Sequence, residues 1–85
     1  DEIYLFDLIK NTENNYSNLL IVNHEPTIRN LTIDLSAPSQ DEKYLNIKNK
    51  FPTGSLAILK SDLKDWGELK YNSFKVTDFV RPRFL

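Results

Sequence analysis

The stretch Leu19-Leu20-Ile21-Val22-Asn23-His24-Glu25-Pro26-Thr27-Ile28 constrains the fold of this chain more than any other. Its four leading apolar residues run without a break and include two that are branched at Cβ. So short a run fits a strand covered on both faces, as in a parallel sheet. The chain's only histidine, His24, follows, and Pro26 comes two residues later. Proline suits the first turn of a helix, where its missing N–H removes no hydrogen bond. The pattern predicts a strand that carries His24 to the mouth of a sheet and then turns into a helix.

Period and punctuation supply the neighbouring elements. Ile3, Phe6 and Ile9, with Leu5 and Leu8 beside them, recur at helical spacing and predict an amphipathic helix over roughly residues 2–11. Residues 11–18 form a polar connection rich in turn residues. After Pro26, the residues Ile28, Leu31 and Leu35 make one apolar stripe, and Ala37-Pro38 disfavours helix beyond Ser36. Residues 37–50 are polar and charged and read as a solvated loop, with Leu45 and Ile47 able to begin a short extended piece. Pro52-Thr53-Gly54 punctuates the start of a second central strand, Leu56 to Leu59. Trp66-Gly67 reads as a turn with one large anchor. Phe74, Val76 and Val80 alternate with polar residues, so residues 73–80 are a strand with a wetter face. The link between these last two strands is too short for a helical crossover, so their pairing is expected to be antiparallel.

The fold class is therefore α/β, with a mixed, mostly parallel sheet whose last strand pair is antiparallel. The order helix–strand–helix–strand–strand reads as incomplete. A doubly wound sheet starts with a strand, and central strands want cover on both faces. At 85 residues the chain is a single small domain, 1–85. It contains no methionine and starts at Asp1, and is expected to be part of a longer protein.

Composition narrows the function. A net charge of −1 gives no field that draws in nucleic acid or acidic lipid, so neither is an expected partner. The absence of cysteine removes disulfide frameworks and thiolate zinc sites. One histidine beside Glu25 is a poor ligand set, so no metal and no cofactor is expected. No apolar run approaches the roughly 20 residues of a membrane span, and a cytoplasmic setting is the default. No glycine-rich phosphate loop is present, because Gly54 and Gly67 are the only glycines.

His24 remains the candidate for chemistry. In open α/β sheets, ligands bind beyond the carboxyl ends of the strands. A helix N-terminus there offers free N–H groups and partial positive charge, which attract phosphate. A protonated imidazole would add charge against a phosphoryl group. The bland alternative is a histidine that bonds to backbone at a strand–helix corner.

Three blocks carry a resemblance. Ile21-Val22-Asn23-His24-Glu25-Pro26 resembles the "V-G-H-x-P" segment of the histidine phosphatase superfamily. Phe51-Pro52-Thr53-Gly54-Ser55-Leu56-Ala57 resembles the "F-P-T-G-A-L-A" stretch of its SixA-type phosphohistidine phosphatases. Trp66 and the ending Phe79-Val80-Arg81-Pro82-Arg83 resemble that subfamily's "W…F-V-R-P-R". The blocks stand in family order and span nearly the whole chain.

The resemblance implies the C-terminal part of a phosphoglycerate mutase-like, three-layer domain. It also implies hydrolysis of phosphohistidine or phosphate esters through a phosphohistidine intermediate. His24 maps onto the second, phosphate-contacting histidine, and Asn23 replaces the usual glycine before it. The nucleophilic histidine of the family lies in an Arg-His-Gly motif on the first strand, and no such motif occurs in these 85 residues. The chain alone is therefore expected to be inactive. The implied partner is a phosphorylated protein or a small phosphate ester.

The remaining candidates have plainer readings beside the functional ones. Arg29 could lean toward phosphate or lie on the surface, and Thr53 with Gly54 could line a pocket or shape the strand entrance. Glu25 could assist proton transfer or sit solvated near the helix start. Arg81 and Arg83 read as tail anchors and Trp66 as packing. The competing function is a non-catalytic phosphate- or protein-binding module, forming a homo-oligomer through its exposed sheet edge.

Overall fold

A computed structural model describes residues 1–82 of the chain. The described elements are helices α1 (Glu2–Lys10), α2 (Thr27–Leu35) and α3 (Glu42–Asn49), strand β1 (Leu56–Lys60), a 3-10 turn (Trp66–Glu68) and strand β2 (Lys75–Val80). Arg83, read from the sequence as a tail anchor, lies outside the described residues.

α1 and α2 form where they were read, but Ile3 and Leu8 of the expected α1 pattern are exposed, at 68% and 51%. Asp1 caps α1, its carboxylate accepting from the Tyr4 N–H at 3.0 Å. The buried face of α1, Leu5, Phe6 and Ile9, meets Leu31 and Leu35 of α2 together with Leu69 and Phe74. A second core gathers Tyr44, Ile47, Phe51 and Val76, with Ile28 and Ile33 of α2 packed against it. Helix α2 thus stands between two cores and contributes to both.

Helix α3 corrects the expectation of a solvated loop over residues 37–50. Tyr44 and Ile47 fall three apart, so α3 puts both on the second core, and Phe51, two residues past the helix end, joins them there. Asp41 starts the helix, its side chain accepting from the Lys43 N–H at 2.8 Å. Leu45 and Ile47 are helical rather than extended, and Ile47 is only 1% exposed.

β1 and β2 pair antiparallel, as expected from their short link. The register pairs Ala57 with Phe79 and Leu59 with Val76, and slips between Ile58 and Leu59. The slip has a packing consequence. Val76 and Phe79 are three apart and would face opposite sides of an unbroken strand. With one extra residue accommodated, both reach the second core beside Ala57 and Leu59.

The mostly parallel, three-layer arrangement is not what the described residues form. Their sheet has two strands, and the parallel contact is one isolated bridge, Ser36 to Phe74. The expected strand Leu19–Val22 has no regular secondary structure. A strand exists only by pairing, and no backbone hydrogen bond engages residues 17–22 among the described residues. Ile21 packs on the first core, while Leu20 is 76% and Val22 81% exposed.

The C-terminal end of α2 is tied to the chain before β2. The Asn72 N–H donates to the Asp34 carbonyl at 2.7 Å and the Phe74 N–H to Leu35 at 2.8 Å. The Asn72 side-chain amide donates to the Ser36 carbonyl at 3.0 Å. These bonds satisfy carbonyls that a helix end otherwise leaves without partners. Asn72 holds a left-handed backbone, φ 59°, which asparagine tolerates better than other side chains. Asn72→Ala is expected to cost about 2 kcal/mol, roughly half from backbone strain and half from the lost side-chain bond. Asn72→Gly keeps the backbone geometry and should cost only the bond; denaturant titration of both variants separates the two parts.

Asp34, on the same turn, gives a pH dependence. Partial burial raises its carboxyl above the ordinary carboxylate value, and the charge of Glu2 adds to the shift. The folded chain therefore holds this proton more tightly than the unfolded chain, so the group favours folding at low pH. That contribution is lost as pH rises through the folded-state value. Asp34→Asn should raise the melting temperature at pH 7 and leave it unchanged near pH 3, below the ordinary carboxylate range, in thermal melts.

Candidate functional site

His24 stands at the junction between residues 17–22 and α2, and it is exposed. Its neighbours fix the backbone rather than the ring. The Asn23 side-chain oxygen accepts from the His24 N–H at 2.8 Å. The His24 carbonyl accepts from the Ile28 N–H at 3.0 Å, closing the first turn of the helix. The imidazole makes no hydrogen bond and no ion pair among the described residues. The bland reading of a histidine ring tied to backbone does not hold; only the main chain of His24 is tied.

The start of α2 is less bare than the sequence suggests. Pro26 takes the cap position and supplies no side-chain bond. Glu25 fills the gap: its Oε1 accepts from the Arg29 N–H at 3.0 Å. Its Oε2 lies 3.6 Å from Arg29 Nε, an ion pair too long for a hydrogen bond, and that nitrogen is shielded and otherwise unpartnered. Glu25 therefore places a carboxylate where a helix terminus favours an anion, and it engages the cation that could have faced phosphate. Glu25 and Arg29 are thus bound to each other, an arrangement none of the sequence readings for either residue contained.

Thr53 sits in the tight turn before β1. The Ser55 N–H donates to the Pro52 carbonyl at 3.0 Å. Gly54 has φ +83°, the left-handed geometry that the third position of a type II turn requires. The Thr53 side chain is exposed and carries no hydrogen bond among the described residues. No bond joins His24, Arg29 and Thr53 to one another.

A cleft of about 600 Å³ relates them indirectly. One wall is the segment Ser17 to Ile21 and the other is β1, with Ile28, Leu31 and Leu35 of α2 also lining it. Trp66 pins one end. Its indole N–H donates to the Tyr16 carbonyl at 2.7 Å, and its backbone N–H to the Asn14 side chain at 2.9 Å. Tyr16 precedes one wall and Trp66 follows the other, so the two walls run in opposite directions. His24 and the Pro52–Ser55 turn consequently leave the cleft at its other end. The sequence marked Trp66 as a packing anchor but gave no sign of its partner. Nothing in the spacing of Asn14 or Tyr16 reports a contact some fifty residues away.

The Glu25–Arg29 arrangement is testable by itself. Glu25→Ala removes one acceptor from an exposed helix start and should lower stability by about 0.5–1 kcal/mol, read from the denaturation midpoint. A loss above about 3 kcal/mol would mean that the pair acts as a buried one, against its exposure here.

Among the described residues no group of three or more metal-binding side chains gathers, and no helix is long and apolar enough to cross a membrane. Compared with known proteins, the chain matches no protein-family model, no curated protein and no solved structure.

Proposed function

We propose that this chain is the C-terminal half of a SixA-type phosphohistidine phosphatase domain, in which His24 contacts the phosphoryl group. One observation carries the assignment. The chain's only histidine is exposed, its ring is unengaged, and it stands where an apolar segment meets the N-terminus of α2. The order of the three sequence blocks supports it, as does the turn holding Thr53 at the same end of the cleft.

In this role the imidazolium of His24 donates to a phosphoryl oxygen and offsets the charge that develops there during transfer. Arg29 adds a second cation once its guanidinium leaves Glu25. The α2 terminus offers an N–H to the same oxygens when the Glu25 carboxylate is displaced. The nucleophile that would take the phosphoryl group is not among these residues, so the chain supplies half of a site. The substrate class is a phosphorylated protein, with phosphohistidine foremost, or a small phosphate ester.

A second reading is favoured by Leu20 and Val22, whose exposed apolar side chains suit a protein interface. In it the chain is a non-catalytic phosphate- or protein-binding module that self-associates.

Titration of the chain with inorganic phosphate distinguishes the proposal from a structural histidine. The ring resonances of His24 should shift, and His24→Ala should lose the response at every other site of perturbation. Hydrolysis of phosphohistidine or para-nitrophenyl phosphate by the pure chain should not exceed the buffer blank. Authentic turnover that His24→Ala abolishes, or a His24 ring indifferent to phosphate, would overturn the assignment.

A further inference from the structure

We infer that Asn23 is a further phosphate contact beside His24: its side-chain amide donates to the anion that the imidazole holds. The inference rests on the proposed function for the anion. The orientation of the amide comes from the hydrogen bonds at the start of α2.

The Asn23 Oδ1 accepts from the His24 N–H at 2.8 Å, which turns the amide oxygen toward the main chain. The dimensions of an amide then place Nδ2 within about 5 Å of the same backbone nitrogen. Asn23 is exposed, and its Nδ2 has no partner among the described residues. The imidazole springs from the next Cα and is equally unengaged. Both groups can turn onto one tetrahedral anion, whose oxygens take N–H donors at about 2.8 Å each.

Most other donors at this helix start are already engaged. The Ile28 N–H goes to the His24 carbonyl, the Arg29 N–H to the Glu25 carboxylate and the Asn30 N–H to the Pro26 carbonyl. Pro26 has no N–H to give. The Arg29 guanidinium lies against Glu25, with Nε 3.6 Å from Oε2. A phosphate approaching the helix end alone meets that carboxylate first. The Asn23 amide, in contrast, is a side-chain donor adjoining His24 that binds without any ion pair being broken. It is also neutral, so it offers Glu25 no charge to pair with and stays available.

The contact belongs to this chain's own sequence. A glycine before the histidine, as in the segment that residues 21–26 resemble, has no side chain to donate. The ring supplies the charge and the amide restricts how the anion is turned. Two donors from different residues orient a phosphoryl group, whereas a single bond lets it rotate. The anion is thereby seated while Glu25 still holds Arg29, and exchange at the α2 terminus comes second.

The test titrates inorganic phosphate into isotope-labelled chain and follows the Asn23 side-chain amide together with the His24 ring. The two sets of resonances should move in step, with one dissociation constant. Asn23→Ala should weaken binding by at least about fivefold, the loss of one hydrogen bond to a charged acceptor. Asn23→Asp keeps an oxygen for the His24 N–H and removes the donor. Were the side chain needed only to hold the backbone, Asn23→Asp would restore the affinity that Asn23→Ala loses. A donor role has Asn23→Asp bind more weakly than Asn23→Ala. An Asn23 amide that stays still while the ring shifts overturns the inference and leaves the proposed function standing. So does rescue by Asn23→Asp, or Asn23→Ala binding within about twofold of the unaltered chain. A His24 ring indifferent to phosphate removes both.

Discussion

The clamp between the end of α2 and residues 72–74 is the constraint on which the rest of the structure depends. Asn72, Ser73 and Phe74 all donate to carbonyls of the last turn of α2, and Ala37 returns a bond to Phe74. The helix end and the approach to β2 therefore move as one body. Because Leu31 and Leu35 face one core and Ile28 and Ile33 face the other, fixing α2 fixes both cores. The opposite end of the same helix sets the backbone of His24 through the Ile28 hydrogen bond. A clamp at one terminus and a candidate phosphate contact at the other are thus coupled through nine helical residues.

Legibility followed the source of each element's stability. α1 and α2 carry their own signal, since an amphipathic stripe is visible wherever the partner lies. The antiparallel pairing of β1 and β2 was readable from a link that holds a Trp66-Gly67 turn and little room for a crossover helix. α3 was hidden because only Tyr44 and Ile47 of its residues are buried, a stripe too narrow to stand out from the charged residues around it. Asp41 was the missed clue, a capping carboxylate three residues before the first buried side chain. Leu19–Val22 failed in the opposite sense. The composition of a central strand is present, but strand structure is a property of neighbours, and the described residues give it none.

The junction at His24 was legible and its surroundings were not. His24 as an exposed group at a segment-to-helix junction follows from the run that precedes it and from Pro26. The engagement of Arg29 by Glu25 does not, because an i, i+4 pair on a helix start competes with several other rotamers of equal merit. The opposite directions of the cleft walls were out of reach, resting on a Trp66–Tyr16 bond that no local pattern encodes.

Glu25 determines how the α2 terminus behaves toward anions. With its carboxylate on the Arg29 N–H, the terminus already has its negative charge, and an arriving phosphate meets repulsion before attraction. Exposure makes this a weak barrier, since the pair contributes at most about 1 kcal/mol and is screened by salt. A dianionic phosphate carries more acceptor oxygens and more charge than a carboxylate, so under the proposed function it would displace Glu25 from the α2 terminus once held at His24.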